Sequence, residues 1–381
     1  MIRGMRWRIG VLCLAVAMAA AACGGGVKRF MYEGFGRDDW QQPGRVIEAL
    51  EVRPGARIAD IGAGGGYFTF KLAAATGETG EVYAVDVDRD MVEHIAQRAS
   101  SEGMPQVRAT LAAPGDPGLP EGRIDLVFLA NTYHHIEDRP AYFAQLRRAL
   151  APGGRVAIVE FRDEGLLHTL FGHATGGDEM RAEMARAGYR VERDFDFLER
   201  QHFTIFSPID DERRDAAMRR ADAAAAALST ELMQRLQTAM AAGGPPAAMR
   251  VCSEVAQEVT ARVGGAGELS IRRTSLRIRN PANAPDEYER AWLEAAEHDL
   301  RAGAAPAPSY EIVAAADGGA ALRHLRPILF PGGVCSQCHG GDQEIAAATR
   351  AILRDLYPDD RATGFRPGDL RGAISVRVPL R

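Results

Sequence analysis

Residues 57–66 read Arg-Ile-Ala-Asp-Ile-Gly-Ala-Gly-Gly-Gly, and this stretch decides the fold of the first part of the chain. Its apolar half, 57–61, is short and ends at glycines, which is typical of a buried parallel strand. The glycines allow a backbone to approach a ligand closely at the point where a helix begins. The stretch therefore predicts a strand, a ligand-binding loop and a helix, in that order.

Strands and helices alternate along the chain beyond this stretch. Short apolar runs predict further strands at 81–86, 107–111, 124–129 and 155–160, and helical patterns separate them at 67–75, 91–102 and 139–150. Alternation at this spacing predicts a doubly wound α/β sheet. Ligands of such sheets bind at the carboxyl ends of the strands. Asp86, at the end of the second predicted strand, is therefore expected beside the glycine-rich loop.

The glycine spacing separates two kinds of nucleotide-binding loop. The loop reads Asp60-x-Gly62-x-Gly64-x-Gly66, whereas the NAD fingerprint GxGxxG has its third glycine one position later. Together with Val85-Asp86-Val87, segment 131–136 (Asn-Thr-Tyr-His-His-Ile) and Pro152-Gly153-Gly154, this loop resembles class I S-adenosylmethionine-dependent methyltransferases. The resemblance covers roughly residues 40–206, and an NAD site is the rival interpretation.

The resemblance implies a Rossmann-like methyltransferase fold and a set of site residues. Those implied for S-adenosylmethionine are Asp60, Gly62, Gly64, Gly66, Asp86, Asp116 and Asn131. The candidate catalytic residues are Tyr133, His134 and His135, which follow the fourth strand, where this fold places groups that face the substrate. A histidine there can serve as general base for an acceptor hydroxyl or amine. The alternative is that these adjacent histidines only cap and pack the following turn. The methyl acceptor is unknown.

A second motif, Cys335-Ser336-Gln337-Cys338-His339, has the form CxxCH. CxxCH is the attachment site of c-type haem. The two cysteine sulfurs, of Cys335 and Cys338, bind the haem covalently, and His339 becomes an axial ligand of its iron. The alternatives are half of a zinc site and a thioredoxin-like redox pair. A zinc site needs a second Cys/His pair at ligand spacing, and the sequence contains none.

The N-terminus predicts export. Three arginines at positions 3, 6 and 8 precede an apolar run, 9–22, that is short for a membrane span. Residues 20–23 read Ala-Ala-Ala-Cys, which resembles a bacterial lipoprotein signal in which Cys23 becomes the lipidated first residue. Ordinary signal cleavage near the alanine run is the alternative. In both cases we expect a periplasmic protein, with a lipid anchor in the first.

One cysteine of the C-terminal half, Cys252, has no role in the motifs described above. Cys13 lies in the predicted signal, so Cys252 is the one cysteine left without a role. An odd cysteine in an oxidising compartment has no disulfide partner in the chain. Three alternatives are therefore open for Cys252: a buried inert thiol, a dimer-forming thiol and a metal ligand.

The region 216–381 resembles a PAS-like single-haem c domain found in cyanobacteria and proteobacteria. The residues that carry the resemblance are 245–252, 272–285, the CxxCH motif and 357–373. It implies an α+β domain with an antiparallel sheet flanked by helices, haem c in a pocket, and Cys252 and His339 as the axial iron ligands. A methionine or His324 is a rival ligand. Arg272, Arg273 and Arg279 are candidates to pair with the haem propionates.

These observations predict five segments in the 381-residue chain. They are a signal peptide (1–22), an N-terminal linker (23–36), a methyltransferase-like domain (37–206), a linker (207–215) and a PAS-like haem domain (216–381). The net charge of −5 and the lack of a basic tract argue against a nucleic-acid partner.

Two functions follow from this organisation. The first is an exported methyltransferase with a haem-based sensory or redox module. The alternative is a non-catalytic periplasmic redox or gas sensor, or an electron-transfer protein, because S-adenosylmethionine is made in the cytoplasm.

Overall fold

The computed structural model describes residues 36–162, 175–251, 256–264, 269–315 and 319–380. The chain divides into two compact units, Met1–Pro208 and Ile209–Arg381. The predicted signal, the lipidation candidate Cys23 and the ligand candidate Cys252 lie outside the described residues. Within the described ranges, no helix combines the length and the apolar character that crossing a membrane requires.

The first unit is a seven-stranded sheet with helices between its strands. Its described helices are α1 (Arg37–Gln41), α2 (Pro43–Leu50), α3 (Thr69–Thr76), α4 (Arg89–Ser101), α5 (Arg139–Leu146) and α6 (Gly177–Arg186). Its described strands are β1 (Arg57–Ile61), β2 (Glu81–Asp86), β3 (Val107–Leu111), β4 (Ile124–Ala130), β5 (Leu150–Phe161), β6 (Tyr189–Phe195) and β7 (Gln201–Pro208).

The strand order of this sheet is β3-β2-β1-β4-β5-β7-β6. The first five strands pair in parallel, whereas β7 is antiparallel to both of its neighbours. The predicted Rossmann-like, doubly wound α/β fold is therefore confirmed. The order reverses between β1 and β4, and ligands of such sheets bind in the crevice at this switch point. The loops that follow these two strands flank it.

The central strands β1 and β4 are buried on both faces, which explains why they read as nearly continuous apolar runs. Ile58 and Phe128 pack in the core on one face, and Ala59 and Leu129, their chain neighbours, pack in the core on the other. Successive side chains of a strand point to opposite faces, so β1 and β4 contribute to both cores.

Several parts of the first unit differ from the sequence-based expectation, which included none of α1, α2, α6 and β7. The helix predicted at 139–150 ends at Leu146, and β5 begins at Leu150, which pairs with Ile124 before a register irregularity. The glycines 153 and 154 thus lie within the assigned strand. No apolar run predicted β6, because this edge strand carries charged residues at positions 190 and 192–194 and has one strand neighbour.

The second unit is a four-stranded antiparallel sheet with helices. Its described helices are α7 (Asp211–Arg250), α8 (Ala256–Gly264), α9 (Glu287–Arg301), α10 (Ser336–His339) and α11 (Ala347–Leu356). Its described strands are β8 (Ser270–Thr274), β9 (Ser309–Ala314), β10 (Ala320–Leu329) and β11 (Leu370–Pro379). The sheet order is β8-β11-β10-β9, and every neighbouring pair is antiparallel.

Helices cover both faces of this sheet. Leu228 of α7 packs with Val376 in one core, and Leu293 of α9 packs with Leu325 in the other. The arrangement is the α+β architecture expected for this region, and a PAS-like relationship stays a prediction.

Helix α7 opens the second unit and spans 40 residues. The Asp210 side chain accepts a hydrogen bond of 2.7 Å from the Arg213 N–H and so caps its start. Since β7 runs to Pro208, two residues separate strand from helix, in place of the predicted linker at 207–215. Gly243 and Gly244 have non-helical backbone angles and divide α7 into a long and a short helix.

The crevice between β1 and β4 has no room for a side chain at Gly62. This residue has φ of 71°, and a Cβ atom there would overlap the Thr132 side chain. Gly122 has a similar φ of 67° but open space around it. A Cβ at positive φ costs about 1–2 kcal/mol, and overpacking adds about 1–3 kcal/mol. We therefore expect Gly62→Ala to lower the free energy of unfolding by about 1–3 kcal/mol more than Gly122→Ala does, as measured by urea denaturation. Equal losses would contradict this close packing.

Candidate functional site

The loop after β1 is shaped by three glycines. Gly62, Gly64 and Gly66 have φ values of 71°, 50° and 83°, a region that disfavours residues with a Cβ atom. The N–H of Gly62 donates a hydrogen bond of 2.8 Å to the Val85 carbonyl, so the loop is anchored to the end of β2. The loop then leads into α3. The structure thus brings the three predicted glycines to the carboxyl edge of the sheet.

Asp86 joins this loop to the end of β2. One carboxylate oxygen accepts a hydrogen bond of 2.7 Å from the Gly64 N–H, and the other accepts one of 2.9 Å from the Asp88 N–H. A carboxylate offers about four acceptor positions, so two bonds leave capacity for further donors. The side chain is half-buried. Asp86 is therefore held in place and can still accept hydrogen bonds from the hydroxyls of a ligand.

Asp60 is the most perturbed carboxyl group of the loop region. It is 3% exposed, and it accepts a hydrogen bond of 2.6 Å from the Thr69 hydroxyl. Burial raises the pKa of Asp60 to about 6, against the opposing effects of the Thr69 hydrogen bond and the charge of Arg37. Buried carboxyl groups with such shifts are common at ligand sites.

Helix α1 lies across the same edge of the sheet. The Arg37 guanidinium stands 4.0 Å above the centre of the Tyr67 ring, and the Tyr67 hydroxyl donates a hydrogen bond to Asp38. At the other end of α1, Trp40 stacks on Phe161 with 5.7 Å between ring centres. Tyr67 follows β1 and Phe161 ends β5. Helix α1 therefore contacts the carboxyl ends of the strands on either side of β4. The sequence analysis did not identify this helix.

Two exposed apolar side chains flank Asp86 at the ends of β2 and β3. Val87 is 65% exposed and Leu111 is 41% exposed. An apolar ring of a ligand can pack against such surfaces. Asp116 lies in the exposed turn that follows β3, where one carboxylate oxygen accepts a hydrogen bond of 2.9 Å from the Gly118 N–H.

The residues that follow β4 have different environments. Asn131 has φ of 57°, and its side-chain oxygen accepts a hydrogen bond of 2.5 Å from the Gln201 amide. Tyr133 is fully buried, and its hydroxyl donates a hydrogen bond of 2.7 Å to Glu183. Burial and this hydrogen bond raise the pKa of Tyr133. The placement gives the predicted catalytic role of Tyr133 no support, because its hydroxyl is held by a carboxylate inside the core.

The neighbouring His134 contacts a carboxylate that the sequence analysis missed. Its Nδ1 lies 2.9 Å from Oε1 of Glu160, a fully buried residue near the end of β5. Glu160 also accepts hydrogen bonds from the backbone N–H groups of His134, at 3.3 Å, and Phe161, at 2.7 Å. With Nδ1 donating to Glu160, Nε2 is the nitrogen that can accept a proton. His135 is exposed, and its ring centre lies 4.0 Å from that of His134.

The second unit contains a cavity at the CxxCH motif. It has a volume of about 460 Å³, and a smaller cavity of about 40 Å³ shares with it the lining residues Leu236, Arg279, Cys335 and His339. Cys338 also lines the smaller cavity. Positions 338 and 339 lie three and four residues after position 335, so both side chains are neighbours of Cys335 on the helical turn. The larger volume lies in the range of pockets that enclose small organic ligands, about 300–1,000 Å³.

His339 is oriented by a backbone carbonyl. Its Nδ1 lies 2.6 Å from the Ala362 oxygen. A carbonyl only accepts, so Nδ1 carries the hydrogen and Nε2 has the lone pair. Burial, with the charges of Arg371 and Arg279, lowers the pKa of His339 and favours this neutral form. A neutral imidazole with its other nitrogen hydrogen-bonded is the usual form of a histidine metal ligand.

The cavity walls combine apolar and cationic side chains. The apolar side chains include Leu232, Met233, Leu236, Ile328, Phe330 and Ile374. The cationic ones are Arg273, Arg279, Arg326 and Arg371. Arg273 and Arg279, two of the three arginines predicted for the propionates, thus line the cavity. Arg272 does not, and it instead donates a hydrogen bond of 3.2 Å to the Ala282 carbonyl.

The rival iron ligand His324 lies elsewhere. It is fully buried in β10, stacks on Tyr310 with 4.5 Å between ring centres, and has Nδ1 3.0 Å from the Ser309 carbonyl. No group of three or more His, Cys, Asp and Glu side chains comes together as a metal-ion site in the part of the chain that the structure describes.

Comparison with known proteins finds a matching family model within each of the two units. Residues 58–154 match the family described as "Methyltransferase domain", and residues 210–379 match the family described as Tll0287-like.

Two curated relatives illustrate the first match. A stretch of 114 residues is 32% identical to nocamycin O-methyltransferase of Saccharothrix syringae, covering 30% of this chain and 41% of that protein. A stretch of 116 residues is 34% identical to the ubiquinone/menaquinone biosynthesis C-methyltransferase UbiE of Burkholderia cenocepacia, covering 30% of this chain and 47% of that protein. The matches thus span less than half the length of these relatives.

The solved structures that resemble the chain include a SAM-dependent methyltransferase from Aquifex aeolicus. The match has 23% identity and a TM-score of 0.44, and it covers 47% of this chain and 96% of that protein. The PH0226 protein from Pyrococcus horikoshii matches with 19% identity and a TM-score of 0.39, covering 45% of this chain and 89% of that protein.

The perturbed pKa of Asp60 predicts a pH dependence of stability. The folded-state pKa of about 6 lies above the ordinary 3.8, so the folded protein binds this proton more tightly than the unfolded chain does. The contribution of Asp60 to stability is therefore fully present below about pH 4 and is lost as the pH rises to about 6. At 1.36 kcal/mol per pKa unit, the loss amounts to about 3 kcal/mol.

The Asp60→Asn variant should not show this loss. We expect its free energy of unfolding to fall by about 3 kcal/mol less than that of the parent between pH 4 and pH 7. Asp39→Asn, which changes an exposed aspartate of α1, is the control and should follow the parent. Denaturant titrations at the two pH values decide the matter. A parallel pH dependence in the parent and the Asp60 variant would contradict the shifted pKa.

Proposed function

We propose that the first unit, a class I S-adenosylmethionine-dependent methyltransferase domain, transfers a methyl group to an acceptor that must lose a proton. We further propose that the second unit carries covalently bound haem c with a sensory or redox role. The observation that carries the first proposal is the hydrogen bond from the Gly64 N–H to Asp86, which places a carboxylate beside a glycine-rich loop at the switch point of the sheet.

The residues around this hydrogen bond fit S-adenosylmethionine. The remaining acceptor positions of Asp86 suit the two ribose hydroxyls. The exposed side chains of Val87 and Leu111 offer an apolar surface to the adenine ring. Asp60 suits the α-ammonium group of the ligand. The positive charge of that group would favour the ionised carboxylate of Asp60 over its buried acid form. The bound cofactor supplies a methyl group on a sulfonium sulfur.

His134 and Glu160 fit the removal of the acceptor proton. Glu160 holds the imidazole through Nδ1 and stabilises the positive charge that forms when Nε2 takes up a proton. Glu160 contacts no ligand in this scheme and is a positioning residue. The similar proteins are named as an O-methyltransferase and a C-methyltransferase. A hydroxyl and an acidic carbon both release a proton on methylation, so a base serves either chemistry.

The cavity of the second unit fits haem c. The two cysteines that would bind it and His339 together line the smaller cavity, and Nε2 of His339 carries the lone pair that an iron ligand needs. The apolar wall suits the porphyrin, and the lining arginines Arg273, Arg326 and Arg371 suit its two propionates. We propose Cys252 as the second axial ligand and a PAS-like relationship for this unit, both from the family resemblance. Bound haem supplies one-electron and gas-binding chemistry.

We also propose that the chain is exported to the periplasm and lipid-anchored through Cys23, on the evidence of the N-terminal sequence. Haem c supports export, because this attachment takes place outside the cytoplasm. Export in turn favours a second candidate function, a non-catalytic haem sensor or electron carrier, because S-adenosylmethionine is made inside the cell. Cofactor binding separates the two.

Substitution of Asp86 tests the methyltransferase proposal. Asp86→Ala removes hydrogen bonds to a charged acceptor, which are worth about 2 kcal/mol. We therefore expect roughly 30-fold weaker binding of S-adenosylmethionine or its demethylated product by calorimetry. Glu93→Ala removes one exposed carboxylate from α4 and should bind like the parent. A parent protein that binds neither ligand at millimolar concentration would exclude the enzyme and favour the sensor.

Covalent attachment tests the haem proposal. Protein produced in a host with cytochrome c maturation should keep its colour after denaturation and acid-acetone extraction. The double variant Cys335→Ala/Cys338→Ala should retain no haem under the same treatment, because it lacks both thioether sulfurs. Extractable haem in the parent protein, or none, would refute the proposal.

A further inference from the structure

Arg279 lines the cavity and forms hydrogen bonds with the CxxCH motif and with the loop at 360–362. Its side chain is 7% exposed, and its Nη2 lies 2.9 Å from Oδ2 of Asp360. The same nitrogen donates a hydrogen bond of 2.6 Å to the carbonyl of Cys338, inside the CxxCH motif, and one of 3.4 Å to the carbonyl of Ala362. Arg279 therefore ties the CxxCH motif to the loop at 360–362.

The same loop orients the imidazole of His339. Asp360 accepts a hydrogen bond of 2.7 Å from the Ala362 N–H through Oδ1, while Oδ2 faces Arg279. The carbonyl of Ala362 lies 2.6 Å from Nδ1 of His339. A series of hydrogen bonds therefore runs from the guanidinium through Asp360 to the Ala362 N–H, and from the carbonyl of the same residue to His339. Phe365 reinforces the arrangement, since its N–H donates a hydrogen bond of 2.9 Å to the His339 carbonyl.

A buried ion pair is a poor source of stability, because the loss of hydration offsets most of its attraction. Its geometric effect is better defined: each partner of this pair makes further bonds that fix backbone groups on either side of His339. These bonds also engage the Nε and Nη2 groups of Arg279. We therefore do not assign Arg279 to a propionate, in contrast to the expectation from sequence.

We propose that the Arg279–Asp360 pair is the positioning device of the axial histidine. It holds the Ala362 carbonyl against Nδ1 of His339, and thereby sets the ring orientation and the electron donation of Nε2. The inference rests on the proposed haem c. Hydrogen bonding to the far nitrogen of a ligating histidine fixes its tautomer and raises its basicity, and such bonding tunes the electronic properties of the iron.

Charge and geometry can be separated by three variants. Arg279→Gln leaves the Asp360 carboxylate without its cation, which favours the ferric state and should lower the midpoint potential. Asp360→Asn leaves the cation and should raise it. The double variant Arg279→Gln/Asp360→Asn keeps the net charge of the parent, so a remaining change reports the loss of positioning.

A second arginine–aspartate pair of the same unit provides the matched control. Arg323 lies 2.8 Å from Asp286, and its side chain is 14% exposed. Among the described residues, the further contacts of this pair are with Glu289 and the Tyr288 ring of α9, away from the CxxCH motif in the sequence. Arg323→Gln/Asp286→Asn thus removes a pair of the same composition, and asparagine preserves the helix cap at position 286.

The experiment uses the full-length haem-loaded protein and measures the midpoint potential and the ferric spin-resonance spectrum. We expect the charge-neutral Arg279/Asp360 double variant to keep its covalent haem, to change the spectrum, and to shift the oxidation equilibrium at least threefold. That shift is about half of the 59 mV that a tenfold change represents for one electron. The control should match the parent in both measurements.

The outcomes distinguish the two proposals. A parent protein without covalent haem overturns the proposed function and this inference together. A haem-loaded parent whose spectrum and potential equal those of the Arg279/Asp360 double variant overturns the inference alone, as does an equal change in the control. If the double variant does not fold, as judged by circular dichroism, Arg279→Lys decides in its place, because lysine keeps the charge and loses the fork of donors.

Discussion

The hydrogen bond between the Gly64 N–H and the Asp86 carboxylate is the interaction on which the proposed cofactor site depends. It joins the loop after β1 to the end of β2, 22 positions further along the chain. The loop can approach Asp86 because its glycines accept positive φ values. It can also approach the turn after β4, because Gly62 has no side chain to meet Thr132. One loop thus brings the ends of three strands together.

Two buried carboxyl groups at this edge of the sheet, those of Asp60 and Glu160, have different hydrogen-bond partners. These partners determine which chemical role each group suits. Asp60 has a hydroxyl as its hydrogen-bond donor, and burial raises its pKa to about 6. Glu160 accepts hydrogen bonds from two backbone N–H groups and lies against the ring of His134. The first suits a cationic group of a ligand, and the second suits a histidine that gains and loses a proton.

In the second unit, too, neighbouring groups determine the state of a functional side chain, here that of His339. The CxxCH motif brings Cys335, Cys338 and His339 to the lining of one cavity, but it does not orient the imidazole. Orientation comes from the Ala362 carbonyl, which the Arg279–Asp360 pair holds from the other side. An ion pair inside the protein is thus better explained by the geometry that it maintains than by the stability that it contributes.

Local patterns account for what the sequence determined by itself. The strand period, the glycine spacing around Gly62 and the CxxCH motif each occupy a few consecutive residues, so they predicted the α/β sheet, its loop and the reactive cysteines. Only the tertiary structure decided which side chains meet. His134 meets Glu160 across 26 positions, Arg279 meets Asp360 across 81, and Tyr133 turns into the core toward Glu183 across 50. Such partners depend on how strands and loops are arranged in space, and no local pattern of residues carries that information.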